Sequence, residues 1–486
     1  NLRLSIHFLI FYRSFCHPID FQHSNKHMPN TNTIPNTAFL KVFSSSLIKF
    51  SLLFLLTFSF SEICAQFNVD EQSGEDNYYN ANFLRFENHI YQENVKTVLL
   101  HPKDWPIAAP FIVLNDPNST LELHFDILDS TLGNFMYELI HCDYNWKKSE
   151  LDVQEYIDGM PSDYLVEYDY SRNTFQKYIH YSLEIPNFNM QITKSGNYLI
   201  KVFDYDNNDL ILTRRFSVTE NIVNVDAKVK QATLVRQRYS HQEIDFSIGT
   251  STYQMTNPYT DLHVEILQNH TWENRLSGLD PRFVKESTLD YDYDGPNAIE
   301  GLNEFRLLDL KNTRFNGAGI ERVTFSAQEN HAYLELDKSR ASRTYLQNRD
   351  LNGWFYISTN LSDANSAALD ADYVNAHFSL KQEKPLSDGD VYVYGALTDW
   401  KILPEAKMKF NQLELKYENT LYIKQGIFNY MYAFVKDGEI KPDMSRFEGS
   451  HFETENEYSI LVYHRPLGLD YDRLLMIKTI TFPPEN

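Results

Sequence analysis

"GNYLIKVFDYD" (residues 196–206) and "LTRRFSVTE" (212–220) are short runs in which apolar and aromatic residues alternate with polar ones. A period of two places neighbouring side chains on opposite faces of a β-strand, one buried and one exposed. Similar runs, rich in Val, Ile, Tyr and Phe, recur from residue 67 onward: TLELHFDIL (120–128), NVDAKVKQATL (224–234), QEIDFSIGT (242–250) and DLHVEILQN (261–269). No window carries a long helical stripe with caps at both ends. The sequence therefore predicts an all-β fold of tandem immunoglobulin-like β-sandwich domains.

The length of the chain, 486 residues, is enough for about three domains. The clearest linker is KQEKPLSDGD (381–390), which is polar and contains Pro and Gly. A second break lies near residues 220–224, where one predicted strand ends and another begins. We predict β-sandwich domains at residues 70–221, 222–382 and 386–480.

The first 66 residues differ from the rest of the chain. Two lysines precede an apolar run at 50–60, which is followed by small and polar residues. A run of about 11 apolar-rich residues suits a secretory signal peptide, whereas a membrane-spanning helix needs about 20. We expect translation to start at Met28, which leaves residues 1–27 upstream. Cys64 lacks the preceding small residue of a lipidation site, so we predict a soluble exported protein and not a lipoprotein.

The chain is acidic, with 44 Lys and Arg against 66 Asp and Glu and a net charge of −22. Without residues 1–66 it keeps 39 basic and 64 acidic residues, a net charge of −25. Such a chain repels phosphate backbones and anionic lipids, so we expect no nucleic-acid binding and no direct insertion into lipid. Proteins, glycans or cations are the expected partners. Only Cys142 remains in the exported part, which excludes an internal disulfide there.

The stretch YELIHCDYNWKKS (137–149) places His141, Cys142 and Asp143 side by side, like a base, a nucleophile and an orienting acid. On a β-strand, however, Cys142 points to one face while His141 and Asp143 point to the other. A direct Cys–His pair is therefore excluded. We expect Cys142 to be a small buried residue on the core face, and His141 and Asp143 to form a polar, partly solvated pair that could be half of a metal site.

A second candidate metal site is HQEIDF, which places His241, Glu243 and Asp245 on one face of a predicted strand. A flat strand holds such ligands in a row and not around a point, so a solvent-facing sheet surface is the favoured interpretation.

The stretch LDYDYDGPN (289–297) has Asp290, Asp292 and Asp294 at alternating positions, like a calcium loop. The twelfth position, which should be a glutamate, is Gly301. The common nucleophile, metalloprotease, P-loop and dinucleotide motifs are absent from the sequence. We predict no cofactor, no metal site and no enzymatic activity.

Residues 391–440 resemble the glycogen-binding module of AMP-activated kinase β subunits and branching enzymes. The resemblance rests on Gly395, the turn ending in Trp400, and the aromatic strand that follows Gly426. It implies an early-set immunoglobulin-like fold for the last domain, with Trp400 as a possible glycan contact. The positions of the family's lysine and second tryptophan fall at about Met431 and Ile440, so glycan binding is not the favoured function.

A collinear resemblance to the type IX secretion system plug proteins of Gram-negative bacteria covers nearly all of the exported part. It is carried by ELIHCDYNWKKSELDVQEYIDGM (138–160), SGNYLIKVFDYDNNDLILTRRFSV (195–218), ILQNHTWENRLSGLDPRFVKESTLDYDY (266–293) and EGSHFETENEYSILVYHRPLGLDYDRLL (448–475). The resemblance implies a non-catalytic periplasmic protein at the inner face of the outer membrane. Its partner would be the translocon barrel, whose periplasmic mouth it closes by protein–protein contact.

Two other hypotheses come from different functional classes. One is a periplasmic glycan-binding protein that acts through Trp400 in the last domain. The other is a cryptic metal or thiol enzyme at Cys142, His141 or His241. Oligosaccharide binding would indicate the first, and a bound metal or a reactive thiol would indicate the second.

Overall fold

The computed structural model describes residues 83–128, 131–326, 329–360, 362 and 364–483. The predicted signal peptide and the first residues of the predicted 70–221 domain lie outside this range. Almost all regular structure in the described residues is antiparallel β-strand, which confirms the predicted all-β class. No helix among these residues has the length and apolar character needed to cross a membrane.

The first sandwich contains twelve strands and one short helix. They are β1 (His89–Ile90), β2 (Val95–Pro102), β3 (Phe111–Val113), β4 (Leu121–Ile127), β5 (Phe135–Cys142), α1 (Val153–Tyr156), β6 (Ile157–Gly159), β7 (Asp163–Tyr164), β8 (Tyr168–Tyr170), β9 (Ile179–Ile185), β10 (Met190–Ile192), β11 (Gly196–Asp204) and β12 (Leu210–Thr219). One sheet has the order β1-β12-β11-β5-β7, with β3 also on β12, and the other has the order β2-β4-β9-β8. Alternate residues such as Leu123, Phe125, Leu139 and Ile200 fill the core between them.

The second sandwich begins with six strands: β13 (Asn224–Gln231), β14 (His241–Gly249), β15 (Leu262–Gln268), β16 (Phe283–Lys285), β17 (Thr288–Asp290) and β18 (Ala298–Glu300). β14 is central in its sheet, because β13 pairs along one side of it and β17 and β18 pair along the other. β15 belongs to a different sheet that these six strands do not complete.

The third sandwich follows. Its elements are β19 (Arg306–Asp309), β20 (Ile320–Phe325), β21 (Asn330–Leu334), β22 (Phe355–Ile357), α2 (Ala364–Asp370), β23 (Tyr373–Lys381), β24 (Gly389–Tyr394), η1 (Ala396–Thr398), η2 (Pro404–Ala406), β25 (Lys409–Asn411), β26 (Lys416–Lys424), β27 (Gly426–Lys436) and α3 (Ser445–Glu448). One sheet has the order β20-β21-β23-β26-β25. The other is built around β27, which pairs with β19, β22 and β24.

The last two strands, β28 (Asn456–His464) and β29 (Arg473–Phe482), return to the second sandwich. β28 pairs antiparallel with β15 from Leu262↔His464 to Gln268↔Tyr458, and β29 pairs with β28. The third sandwich is therefore an insertion between two parts of the second one.

Strand pairing departs from the predicted 222–382 and 386–480 domains. The polar stretch 381–390 connects β23 to β24, whose apolar residues share one core, so it is a loop within the third sandwich. Residues 456–482 belong to another sandwich. A polar loop within a domain has the same composition as a linker between domains, so the sequence does not distinguish them. Pairing between strands nearly 200 residues apart leaves no pattern in the local sequence.

Candidate functional site

Cys142 lies at the end of β5 and is fully buried. Its side chain belongs to an apolar cluster that joins the first and second sandwiches, together with Trp146, Leu199, Leu267, Trp272, Leu461, Tyr463 and Leu474. We call this cluster the first–second junction. Burial raises the pKa of the Cys142 thiol to about 12. The thiol therefore stays protonated at neutral pH and is a poor nucleophile.

His141 points the other way from β5 and is also fully buried. Its Nε2 lies 3.0 Å from the carbonyl oxygen of Ser195, to which it donates a hydrogen bond, while Nδ1 has no hydrogen-bond partner among the residues that the structure describes. Burial lowers its pKa to about 4, so the imidazole is neutral at pH 7. The expectation of a partly solvated side chain is therefore wrong.

The neighbouring Gly196 explains how closely the chain approaches His141. Gly196 has a φ of +136°, and a Cβ there would lie 2.5 Å from His141 Nε2. The hydrogen bond to Ser195 thus needs a glycine beside it.

Asp143 directly follows β5 and stabilises the turn after the strand. Its Oδ1 accepts hydrogen bonds from the backbone N–H groups of Asn145 (2.9 Å) and Lys147 (2.8 Å). Of the three side chains that resemble a triad, Asp143 stabilises a turn, His141 lies in the interior of the first sandwich, and Cys142 lies in the first–second junction. No catalytic arrangement forms among them.

The predicted separation of Cys142 from His141 and the predicted burial of Cys142 are correct, but it is the face of His141 that lies in the core of the first sandwich. Tyr137 and Leu139, on the same face as His141, pack in the core of the first sandwich. Cys142 faces the junction with the second sandwich. Both faces of β5 are covered, and alternation alone does not distinguish two buried faces.

The structure brings together parts of the two predicted metal candidates. Carboxylate oxygens of Glu243, Asp245 and Asp292 lie within 4.8 Å of one another. The ammonium group of Lys230 lies among them, 3.1 Å from Glu243 Oε1 and 2.5 Å from Asp245 Oδ2. Glu243 also accepts hydrogen bonds from the N–H and hydroxyl groups of Thr233. Lys230 thus lies between these carboxylates, where a cation would bind, and its single charge offsets part of theirs.

The other predicted ligands lie apart from this cluster and have other partners. His241 contacts Ser240 Oγ at 2.9 Å, Asp290 pairs with Lys285 at 3.1 Å, and Asp294 lies 3.8 Å from Arg282. The predicted ligand rows therefore do not converge on one point.

Trp400, the possible glycan contact, has only 7% of its surface exposed. Its ring lies edge-on to Phe305, Trp354 and Tyr394, with ring centres 5.8–6.0 Å apart. The ring surface that a sugar would need is occupied by these side chains. Met431, at the position of the family's lysine, is buried, whereas Ile440 is exposed. The glycan contact stays a prediction that this packing does not favour.

Sequence reasoning missed a buried ion pair between the first and third sandwiches. Lys424 Nζ lies 2.6 Å from Asp126 Oδ2, and at most 1% of either side chain is exposed. Asp126 also accepts hydrogen bonds from Tyr373 (2.7 Å) and from His180 Nδ1 (2.7 Å). Burial opposes ionisation of Asp126, but the charge of Lys424 and the hydrogen bond from His180 outweigh it and lower its pKa. We call this group of residues the first–third junction.

A cavity of about 450 Å³ adjoins the first–third junction. Its wall includes Thr97, whose φ of 53° is strained for a β-branched residue and whose hydroxyl lies 2.7 Å from that of Tyr373. The first–third junction is thus polar and partly hollow, whereas the first–second junction is filled with apolar side chains.

Comparison with known proteins connects this architecture to a family. A family model described as "Type 9 secretion system plug protein 1st domain" matches residues 95–220, which lie largely within the first sandwich. A crystal structure of a hypothetical protein from Parabacteroides merdae is 32% identical, covers 82% of this chain and 100% of its own, and superimposes with a TM-score of 0.78. The chain belongs to the type 9 secretion system plug protein family.

More distant structural matches carry no argument about fold. The C-terminal domains of the Streptococcus agalactiae AgI/II polypeptide BspA and of the Streptococcus pyogenes antigen I/II-family protein AspA are 9% and 10% identical. Each match covers 79% of this chain and 98% of the other, with a TM-score of 0.14. No curated protein matches the sequence.

Plug proteins are non-enzymatic components of a secretion system in the bacterial envelope, and they associate with a translocon component. The buried Cys142 and His141 are compatible with this role. The family match ends at residue 220, so the resemblance of residues 391–440 to a glycogen-binding module stays a prediction.

Proposed function

We propose that the chain is a non-catalytic periplasmic plug of the type 9 secretion translocon. It binds at the inner face of the outer membrane and closes the periplasmic mouth of the translocon barrel by protein–protein contact. The observation that carries this proposal is the match of residues 95–220 to the plug-protein domain, which coincides with an intact sandwich.

The way the sandwiches are joined supports a gating role. An apolar cluster seals the first sandwich to the second, and a buried ion pair connects it to the third. The second and third sandwiches are joined by the two chain crossings of the insertion. These buried contacts hold the first sandwich against the other two, so that a plug would present all three sandwiches together to a pore.

The chemistry of the candidate side chains supports a binding role and not a catalytic one. The thiol of Cys142 is buried and protonated, the imidazole of His141 is buried and neutral, and Lys230 forms ion pairs with the carboxylates of Glu243 and Asp245. Each group contributes to packing or to a closed ion pair.

Co-purification and permeability together test this proposal. A tagged chain, expressed in cells that contain the type 9 system, should co-purify with the translocon barrel from solubilised outer membranes, whereas an equally abundant tagged periplasmic protein should not. Deletion of the chain should admit small solutes through the outer membrane. If the barrel never co-purifies and deletion leaves the pore closed, the gating function is wrong.

A further inference from the structure

We propose that one exposed edge of the first sandwich is the surface that meets the translocon, and that it receives an extended, basic segment of the barrel protein. This inference rests on the proposed plug function and names its contact surface. The edge consists of Tyr164, Val166, Tyr168, Tyr170 and Tyr205, which we call the tyrosine edge.

The tyrosine edge lies where both sheets of the first sandwich end. β7 is the last strand of one described sheet and pairs with β5, through Met136↔Tyr164 and Tyr137↔Asp163. β8 is the last strand of the other described sheet and pairs with β9. Among the described strands, none pairs with the outer side of β7 or β8. Their backbone groups can therefore pair with an added strand.

The side chains at this edge are large, apolar or aromatic, and open to solvent. The exposed fractions are 41% for Tyr164, 69% for Val166, 40% for Tyr168, 55% for Tyr170 and 53% for Tyr205. The rings of Tyr164 and Tyr205 lie 5.5 Å apart, and those of Tyr168 and Tyr170 lie 6.1 Å apart. Tyrosine is enriched at protein interfaces because its ring offers contact area while its hydroxyl still forms hydrogen bonds.

β7 and β8 are only two and three residues long and each carries one Asp, but they lack two other common protections of a free strand. Soluble proteins place Lys or Pro on such edges, or cover them with a helix or loop. Neither β7 nor β8 contains a Lys or a Pro, and every residue of β8 is exposed. An edge of this kind is expected to be covered in the working assembly.

Charge determines the kind of partner. Residues 149–171 contain seven acidic residues and no Lys or Arg. Asp158, Glu167 and Asp169 are exposed, and none of them forms an ion pair within the part of the chain that the structure describes. A basic segment would complement these carboxylates, whereas a second copy of the same edge would be repelled. The charge pattern therefore favours a basic partner over self-association, and under the proposed plug function that partner is a segment of the barrel protein.

Binding of the purified chain to the detergent-solubilised barrel tests the inference. The edge variant combines Tyr164→Ser, Val166→Ser and Tyr170→Ser. Its matched control combines Tyr259→Ser, Phe283→Ser and Phe315→Ser, which are 52%, 56% and 72% exposed and lie in the other two sandwiches. Because a few interface side chains carry most binding energy, we expect the edge variant to bind at least about tenfold more weakly, with the control unchanged.

A second variant separates a loss of contact from a loss of folding. Glu167→Lys with Asp169→Lys reverses two exposed charges without touching the core. It should also weaken binding, and the remaining affinity should depend less on salt than that of the unmodified chain.

The outcomes test the contact surface and the plug function separately. If the unmodified chain binds and both edge variants bind equally well, the tyrosine edge is not the contact surface, although the plug function stands. If the variants change only the oligomeric state, the edge is a self-association surface and the inference is wrong. If the unmodified chain does not bind the barrel, the plug function fails and the inference fails with it.

Discussion

One side of the first sandwich is buried against the second sandwich, and another side is exposed to solvent. We call them the sealed side and the open side, and they lie close together. On the sealed side, Cys142 and Trp146 at the end of β5 pack against the second sandwich. On the open side, Tyr164 in β7 is the direct neighbour of β5 in the same sheet and is 41% exposed. Cys142, a residue type that is often reactive, is buried, whereas Tyr164, a residue type that often lies in a core, is exposed. Exposure, and not residue type, thus indicates where this protein meets a partner.

The largest expected effect comes from breaking the buried ion pair of the first–third junction. Lys424→Ala leaves Asp126 buried without its cation and should lower the free energy of unfolding by about 3–5 kcal/mol. Lys407→Ala, which removes a half-exposed partner of Asp390, is the control and should cost less than about 1 kcal/mol. Urea unfolding of both variants measures the difference. Equal losses would mean that the junction does not stabilise the fold.

Truncation of Trp146 breaks the first–second junction. Trp146 is 3% exposed, its ring lies edge-on to Trp272 at 4.9 Å, and the Arg215 guanidinium lies 4.5 Å from its centre. Trp146→Ala should lower the free energy of unfolding by about 3 kcal/mol because it leaves a large cavity. Trp105→Ala, at a 66% exposed site, should cost about 0.5 kcal/mol or less. Thermal or urea unfolding measures both losses. Similar losses for Trp146→Ala and Trp105→Ala would mean that Trp146 does not stabilise the first–second junction.

Acid should weaken the interior of the first sandwich through His141. Its pKa is about 4 in the folded chain and about 6.5 when unfolded, so below pH 6.5 the unfolded chain binds a proton that the folded chain does not. Stability should fall by about 1.5 kcal/mol between pH 6.5 and pH 5 from this group alone, and the loss should level off only below pH 4, where the folded imidazole also becomes protonated. His141→Gln should reduce the slope of the free energy of unfolding against pH in this range. An unchanged slope in a urea series across this pH range would exclude His141 as its source.

Cys142 should contribute packing and not reactivity. Cys142→Ala removes one buried sulfur atom and should lower the free energy of unfolding by about 1 kcal/mol. Binding to the barrel should not change. Loss of binding in a variant that remains folded would indicate that the thiol has a direct functional role.

The smallest stability effect is expected on the open side. Tyr170→Ser removes a ring that is 55% exposed, on an edge strand of three residues, and should change the free energy of unfolding by no more than about 0.5 kcal/mol. The same substitution should weaken binding to the barrel. A loss of stability comparable to that of Trp146→Ala would mean that the edge is part of the core.

Local patterns predicted the strands, but not how they assemble. Alternation located β5 and showed that Cys142 and His141 diverge, because both facts depend on neighbouring residues. It did not show that β28 returns to β15, since that pairing joins residues nearly 200 positions apart.

The candidate sites show the same limit. The sequence identified Glu243 and Asp245 as neighbours on one face. It did not show that Asp292 and Lys230 complete the cluster, because these residues come from other segments of the fold. The exposed tyrosines resemble buried ones in the sequence, and only the sheet order places β7 and β8 at an edge.

Hydrogen–deuterium exchange with and without the purified barrel tests the contrast between the two sides most directly. Peptides that cover residues 158–170 should exchange rapidly in the free chain and become protected when the barrel is added. Peptides that cover residues 139–146 should exchange slowly in both states. Protection that appears elsewhere in the chain, with none at residues 158–170, would contradict the account.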